Sequence, residues 1–518
     1  MIYNLLTMSL YNPFLLSVFL IGPGVWPGAN PMLGIAIAVL FACINTSVYA
    51  LLGSSMPRSG GEYVFFTRLL NGGFGSALEL GFWFFLNPFF FVYWAAWFFD
   101  SGVYYMTSML GYTLNNEALL SFGIWTGTSE GLLAVGTVYI VILTIFLLSG
   151  PTRNYFRLQW FLIAFTLLGF LTSVGLFAVS TPVAFEQGFN AFMLKFQSDA
   201  NLYQTILNTA KTEGYQVKDF SFANSFALAP LAYMMFCWGY WSSWNLGEVK
   251  GADRIRTNIY SMIGATVFSG ILVIALGIAM TSTCTYEFLG SAGYLTATGN
   301  EMLKVLPLPL YYPILSAMLT FIPFIVFLIG FAAVAQGIQQ YFNCQFGFTR
   351  LVVSASVDNV LPEVMGRVSP RRIQPVGAIL LLAVGSIFTM ILATYTGVVA
   401  YTANAFYASM VGFVFVGLAA VIFPWRRPKI YDASPVAKWK IGGLPLISVV
   451  GFLGILVNVV MLYYYLTDPT YGLGIYTASI LVIVGSFVGA YIYFLIRRGY
   501  LKTRGIELNL AFAEVPPA

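Results

Sequence analysis

Apolar residues run through this chain in long unbroken blocks rather than in alternation, and polar residues gather in short breaks between the blocks. A helix needs about 20 apolar residues to cross the hydrocarbon core of a bilayer. On that measure twelve spans are predicted, over roughly 2–21, 31–54, 76–107, 131–149, 155–180, 223–247, 257–281, 309–341, 374–396, 399–423, 443–466 and 472–496. The third and eighth are long enough to be tilted or to protrude. The pattern therefore predicts an all-α integral membrane protein forming a single transmembrane domain over 1–518. Within it, 1–180 holds five spans, 223–423 holds five more, and 443–496 holds the last two. The longest polar segment lies between spans 5 and 6, where NLYQTILNTAKTEGY predicts a short surface helix.

Two of the twelve blocks are interrupted near their middle. Span 1 carries Thr7-Met8-Ser9-Leu10-Tyr11-Asn12-Pro13, and span 6 carries Trp238-Gly239-Tyr240-Trp241-Ser242-Ser243. Proline removes a backbone donor and disfavours helix at the residue before it. Irregular backbone is tolerated at membrane depth only where it lines a cavity or is buried in protein. Paired interruptions at corresponding places in two halves point to the binding site of a transporter. Taken singly, Pro13 reads equally as a kink and Gly239 as a close-packing residue. Their coincidence at spans 1 and 6 favours the transporter reading.

The basic residues set the orientation. Of the 24 Lys and Arg, 20 follow even-numbered spans, and only Lys195, Lys211, Lys218 and Lys304 fall on the other side. Both termini are thus expected in the cytoplasm of a multi-pass cell-membrane protein. The first residues lack the basic start and cleavage site of a secretory signal. They enter apolar sequence at once, so either span 1 is short at its cytoplasmic end or translation starts upstream.

Composition narrows the chemistry. Charged residues make up 8% of the chain and hydrophobic ones 59%, with a net charge of +5. Soluble domains carry about 25% charged residues. Histidine is absent, which excludes His-ligated haem or zinc and His acid–base catalysis. The four cysteines are scattered with no CxxC spacing, so no metal, cofactor or disulfide framework is expected. Two acidic residues, Glu79 and Asp100, fall inside span 3, and their distance from its middle predicts solvated groups at the helix ends.

Three blocks carry a family resemblance. GYWSSWNLGEVKGADR, Gly239–Arg254, resembles the Gly-aromatic segment followed by "EEVKNP" in the amino acid–polyamine–organocation permeases. MPRSGGEY, Met56–Tyr63, is similar to their "P-x-SGG-x-Y" loop. Phe348–Pro375 resembles their "R…A-R-D-x-LP" segment leaving span 8. The order and placement match, so the resemblance covers nearly the whole chain. It departs where Gly247-Glu248 replaces paired glutamates, Gly251-Ala252 replaces Asn-Pro, and Ser-Leu-Tyr-Asn-Pro replaces a glycine-rich first-span motif.

The resemblance implies a five-plus-five inverted repeat with broken helices 1 and 6, and alternating access around a site between spans 1, 3, 6, 8 and 10. Half-helix N-termini there suit a carboxylate, and half-helix C-termini suit an ammonium. The candidate substrate contacts are Ser9, Tyr11, Asn12, Trp238, Gly239, Tyr240, Ser242 and Asn87, with Pro88, Thr402 and Asn404 as further candidates. Trp238 is the candidate lid, against ordinary packing in a chain with 47 Phe, 32 Tyr and 11 Trp. Glu248 and Arg350 are the candidate inner gate, against two solvated interface charges.

With no acid expected at mid-depth, the substrate expected is a neutral, apolar or aromatic amino acid. Phe324–Gln339 lacks the hydroxyls of a sodium site, and LQWFLIAFTLLGF lacks the span-5 lysine of some relatives. Proton-linked symport is expected by analogy, with exchange and facilitated uptake as alternatives. The rival functions are a permease for a polyamine or nucleobase, a multi-span membrane enzyme, and a channel. No filter-like sequence or paired catalytic carboxylates support the last two.

Overall fold

In a computed structural model the chain is described at residues 4, 10–12, 14–150, 152–304, 306, 308–370, 374–396, 402–471 and 477–513, with backbone alone at 14, 83–88, 152, 304, 402–406, 469 and 477–479. The long helices are α1 (Phe14–Leu16, continuing through Ser17–Ile21 and Gly22–Val25), α2 (Pro31–Ser55), α3 (Gly72–Leu78, Glu79–Leu86 and Asn87–Thr113), α4 (Ser129–Ser149), α5 (Thr152–Val179) and α6 (Phe222–Phe236). They continue with α7 (Ile255–Asn258, Ile259–Ile263 and Gly264–Cys284), α8 (Pro323–Val357), α9 (Val376–Tyr395), α10 (Thr402–Arg426), α11 (Leu446–Thr467) and α12 (Thr477–Lys502). Among the described residues nine helices, α2, α4, α5 and α7 to α12, are long and apolar enough to cross a membrane. The chain is an all-helical multi-pass membrane protein.

Burial is arranged for lipid. Val138, Ile142 and Ile145 of α4, Trp160, Phe161, Leu168 and Leu171 of α5, and Val384 and Phe388 of α9 all lie exposed. The polar side chains turn inward instead. On α8, Gln336, Gln339, Gln340, Asn343 and Gln345 are all buried. Thr166 of α5 reaches Gln339 at 3.3 Å, and the Tyr139 hydroxyl of α4 donates to the Gly337 carbonyl at 2.6 Å. α8 packs along both α3 and α5 and forms the axis of the bundle.

The eighth span departs from its predicted bounds of 309–341. α8 starts at Pro323, where proline suits the first turn of a helix, and runs on to Val357. The preceding residues form only the short helix Tyr312–Ala317. Hydropathy began this span early because 309–322 is apolar, and ended it early because Asn343, Gln345 and Arg350 read as a loop. The predicted surface helix is present as Leu202–Thr212 but is amphipathic and half-embedded. Its Leu202, Tyr203, Ile206 and Ala210 are buried, and it packs on Tyr286–Ala297.

Candidate substrate site

α6 ends while its sequence is still apolar. Phe236 through Trp244 stay buried, yet after the Cys237 N–H bonds to the Tyr233 carbonyl at 3.0 Å the chain leaves the α-helix. It passes through a turn into two tight 3-10 segments, Trp241–Trp244 and Leu246–Glu248. Pro230 inside α6 already removes one backbone donor. Gly239 then presses the turn against α7 so closely that a Cβ there would sit 2.2 Å from Thr266 Oγ1.

The chain is also irregular just before α1. Leu10, Tyr11 and Asn12 are buried and non-helical, and α1 begins as the Leu15 N–H bonds to the Asn12 carbonyl at 2.9 Å. The carbonyls freed here have side-chain donors. The Tyr312 hydroxyl donates to the Leu10 carbonyl at 3.1 Å, and the Tyr311 hydroxyl donates to the Asn12 carbonyl at 3.0 Å. Buried backbone acceptors must be paired, and two adjacent tyrosines supply the pairing.

Asn4 joins the N-terminal segment to the 3-10 stretch. Its carboxamide accepts from the Ser242 N–H at 2.8 Å and donates to Ser242 Oγ at 2.9 Å and to the Ser261 carbonyl at 2.8 Å. Ser242 is thus held by the segment that leads into α1. Of the sequence-predicted contacts, Tyr11, Asn12, Trp238, Gly239, Tyr240 and Ser242 are all buried around these two irregular stretches. Tyr240 lies flat on Tyr49 of α2, with ring centres 4.1 Å apart. Ser9 lies outside the described residues, as do the side chains of Asn87, Pro88, Thr402 and Asn404.

Trp238 belongs to an aromatic layer. Its indole N–H donates to the Met234 carbonyl at 2.7 Å, and its ring meets Phe91 of α3 at 5.1 Å. Trp241, Trp244 and Phe348 continue the layer, with Trp241 to Trp244 at 5.0 Å and Trp244 to Phe348 at 4.9 Å. Beyond it, at the end bearing the basic loops, Arg350 grips Glu248 with Nε at 2.8 Å and Nη2 at 3.1 Å. The guanidinium also lies 3.7 Å from the centre of the Phe346 ring.

The three sequence blocks that carry the resemblance meet at this end. The Gly60 N–H bonds to the Trp244 carbonyl at 2.9 Å, and Ser59 pairs with Asn245 in an antiparallel bridge. Ser354 Oγ donates to the Ser59 carbonyl at 2.9 Å. Gly61 has φ +48°, and a Cβ there would lie 2.3 Å from Trp244 Cδ1, so the position has room for glycine alone. Asp358 closes the cluster by accepting from Arg68 at 2.6 and 3.0 Å and from the Tyr63 hydroxyl at 2.7 Å.

Glu79 and Asp100 correct the sequence reading, for both are buried rather than solvated. α3 begins at Gly72, so Glu79 is already two turns inside the helix and packed beneath α12 and α10. Among the described residues neither of its carboxylate oxygens has a hydrogen-bond partner. Near it in the electrostatic sense lies Glu62, a residue that sequence reasoning passed over inside the SGG block. Glu62 accepts from the Tyr49 hydroxyl at 3.0 Å and from the Trp244 indole N–H. Burial pushes its carboxyl up to about 7, against the opposing pull of hydrogen bonds from Trp244, Tyr49 and Tyr240. The available signal was an acid directly after the SGG turn, beside the block that carries the resemblance.

A site built from irregular helix ends, buried hydroxyls and aromatic rings, with an ion pair beyond it, suits reversible holding of a small polar molecule. Among the described residues no group of His, Cys, Asp and Glu could hold a metal ion. No curated protein matches the chain. The family model described as amino acid permease matches residues 5–487, nearly the full length and including all three sequence blocks. The chain belongs to the amino acid permease family.

Proposed function

We propose that this permease carries neutral, chiefly apolar amino acids across the cell membrane by alternating access, with both termini in the cytoplasm. In this reading twelve helices cross the bilayer, and two five-helix repeats of opposite orientation meet at the irregular stretches of the first and sixth. The observation that carries it is the Asn4–Ser242 clamp, which brings the segment before α1 against the segment after α6. Free helix ends gathered in this way can bind a zwitterion without a fixed charge. Trp238 acts as the lid, and the Glu248–Arg350 pair closes the cytoplasmic end.

Coupling to protons is the fitting energy source. Glu62 and Glu79 are both buried, and two arginines at that end are engaged elsewhere, Arg68 with Asp358 and Arg350 with Glu248. Glu62, whose carboxyl burial pushes up to about 7, can take up and release a proton near neutral pH. Tyr49 and Trp244 link that proton to the 3-10 segment of the site.

The test is uptake of labelled leucine into proteoliposomes under an inward proton gradient, with counterflow measured beside it. Saturable counterflow and gradient-driven accumulation are expected. Absence of counterflow for every amino acid would overturn the transport reading. Arginine uptake equal to that of leucine would overturn the substrate class, and indifference to the gradient would overturn the coupling.

A further inference from the structure

At the end opposite the basic loops, α3 opens onto a cavity of about 430 Å³ lined by Asp100, Ser101, Tyr104, Tyr105, Thr128 and Tyr311, among others. Asp100 is 3% exposed, and among the described residues its Oδ1 has no hydrogen-bond partner. Among the described residues no lysine or arginine pairs with it. A buried carboxylate oxygen without a donor is expensive. Here it stands at the wall of a space large enough for a small solute.

The aromatic walls lead inward. Ring centres of Tyr104 and Tyr105 are 5.6 Å apart, those of Tyr105 and Tyr311 5.2 Å, those of Tyr311 and Tyr312 4.9 Å, and those of Tyr312 and Tyr11 5.4 Å. Tyr311 and Tyr312 are the residues whose hydroxyls hold the carbonyls before α1. The column therefore connects the carboxylate at the cavity wall to the irregular stretch of the substrate site. Ring faces attract cations, and a primary ammonium brings three N–H donors and a positive charge together.

We propose that Asp100 and the tyrosines beside it form an outer vestibule site that captures the primary ammonium group of an incoming substrate before it reaches the first-helix carbonyls. The ligand class is a small organic ammonium ion, with or without a carboxylate. The inference rests on the permease reading, which supplies the substrate, but the site itself can be probed without transport.

The experiment uses the purified full-length protein in nanodiscs and in proteoliposomes. n-Butylammonium is expected to raise the unfolding temperature of the wild-type protein, and n-butyrate is not. It should also compete with leucine uptake. Asp100→Asn should weaken both effects about tenfold or more, as loss of a charge-assisted contact implies. Asp100→Glu, which keeps the carboxylate, should recover most of the loss and shows that the Asn variant has not simply misfolded. Equal butylammonium binding by wild type and Asp100→Asn overturns the vestibule, as does equal stabilisation by butyrate. If the protein transports no amino acid yet butylammonium still stabilises wild type and not Asp100→Asn, the permease reading falls and the ammonium site stands.

Discussion

Glu62 shows what one buried carboxyl does to a membrane protein. Burial holds it at about 7, well above the 4.5 of a free glutamate, so between those values the folded state binds more proton than the unfolded one. The sign follows from linkage: stability from this group is fully present below about pH 4.5, is lost as the pH rises to about 7, and is constant above that. The span of the shift corresponds to about 3 kcal/mol at most. Glu62→Gln should therefore flatten the fall in unfolding temperature between pH 4.5 and 7, measured on detergent-solubilised protein, while the arm above pH 7 keeps its shape. A wild-type profile that rises across that window would refute the assignment. Single residues were the least legible part of the sequence. Trp238, Gly239 and Ser242 were marked by the interruption they sit in. Glu79 and Asp100 were misplaced, because counting inward from a span edge says nothing about which helices cover a side chain.

The break after α6 depends on backbone approach rather than on sequence propensity. Gly239 lies where a Cβ would meet Thr266 Oγ1 at 2.2 Å, and that hydroxyl is itself bonded to the Met262 carbonyl at 3.1 Å. Gly239→Ala should destabilise the protein by about 1–3 kcal/mol through overpacking. Adding Thr266→Ala should return a substantial part of that loss, because it removes the obstructing oxygen. Unfolding temperatures of the two single variants and the double variant form the cycle, and strictly additive losses would show that the two residues do not press on each other. Elements were largely legible where lipid demands apolar faces, as on α4, α5 and α9. The start of α8 was not legible, since the stretch 309–322 before Pro323 is as apolar as the helix itself. Hydropathy registers apolar sequence but not where the helix begins.

Across the whole molecule the two ends are unlike. At the basic end the SGG loop, the 3-10 segment and the end of α8 interlock through Gly60–Trp244, Ser59–Asn245 and Ser354–Ser59. At the far end lies the cavity of about 430 Å³ beside Asp100, while the basic end holds one of about 530 Å³ lined by Arg68, Arg427 and Arg498 outside these interlocked segments. In the proposed cycle this is the state sealed to the cytoplasm, and the seal must part for release. The buried Arg68–Asp358 pair lies within the seal, side chains 1% and 6% exposed, whereas Glu248 is 46% exposed in its pair with Arg350. Buried pairs leave a costly orphan when one partner is removed, while exposed ones contribute about 0–1 kcal/mol. Arg68→Ala should accordingly damage folding, but Arg350→Ala or Glu248→Ala should leave it intact. At the gate the modest energy still matters, since about 0.7 kcal/mol shifts a two-state population roughly threefold. Each single gate variant is expected to change the rate of leucine counterflow by about that factor, and raised salt should mimic the change in wild type. Joining Glu248→Arg with Arg350→Glu should restore the wild-type rate. Counterflow unaffected by either single variant would mean that the pair merely decorates the surface, and that the aromatic layer of Trp238, Trp241, Trp244 and Phe348 seals the cytoplasmic end without it.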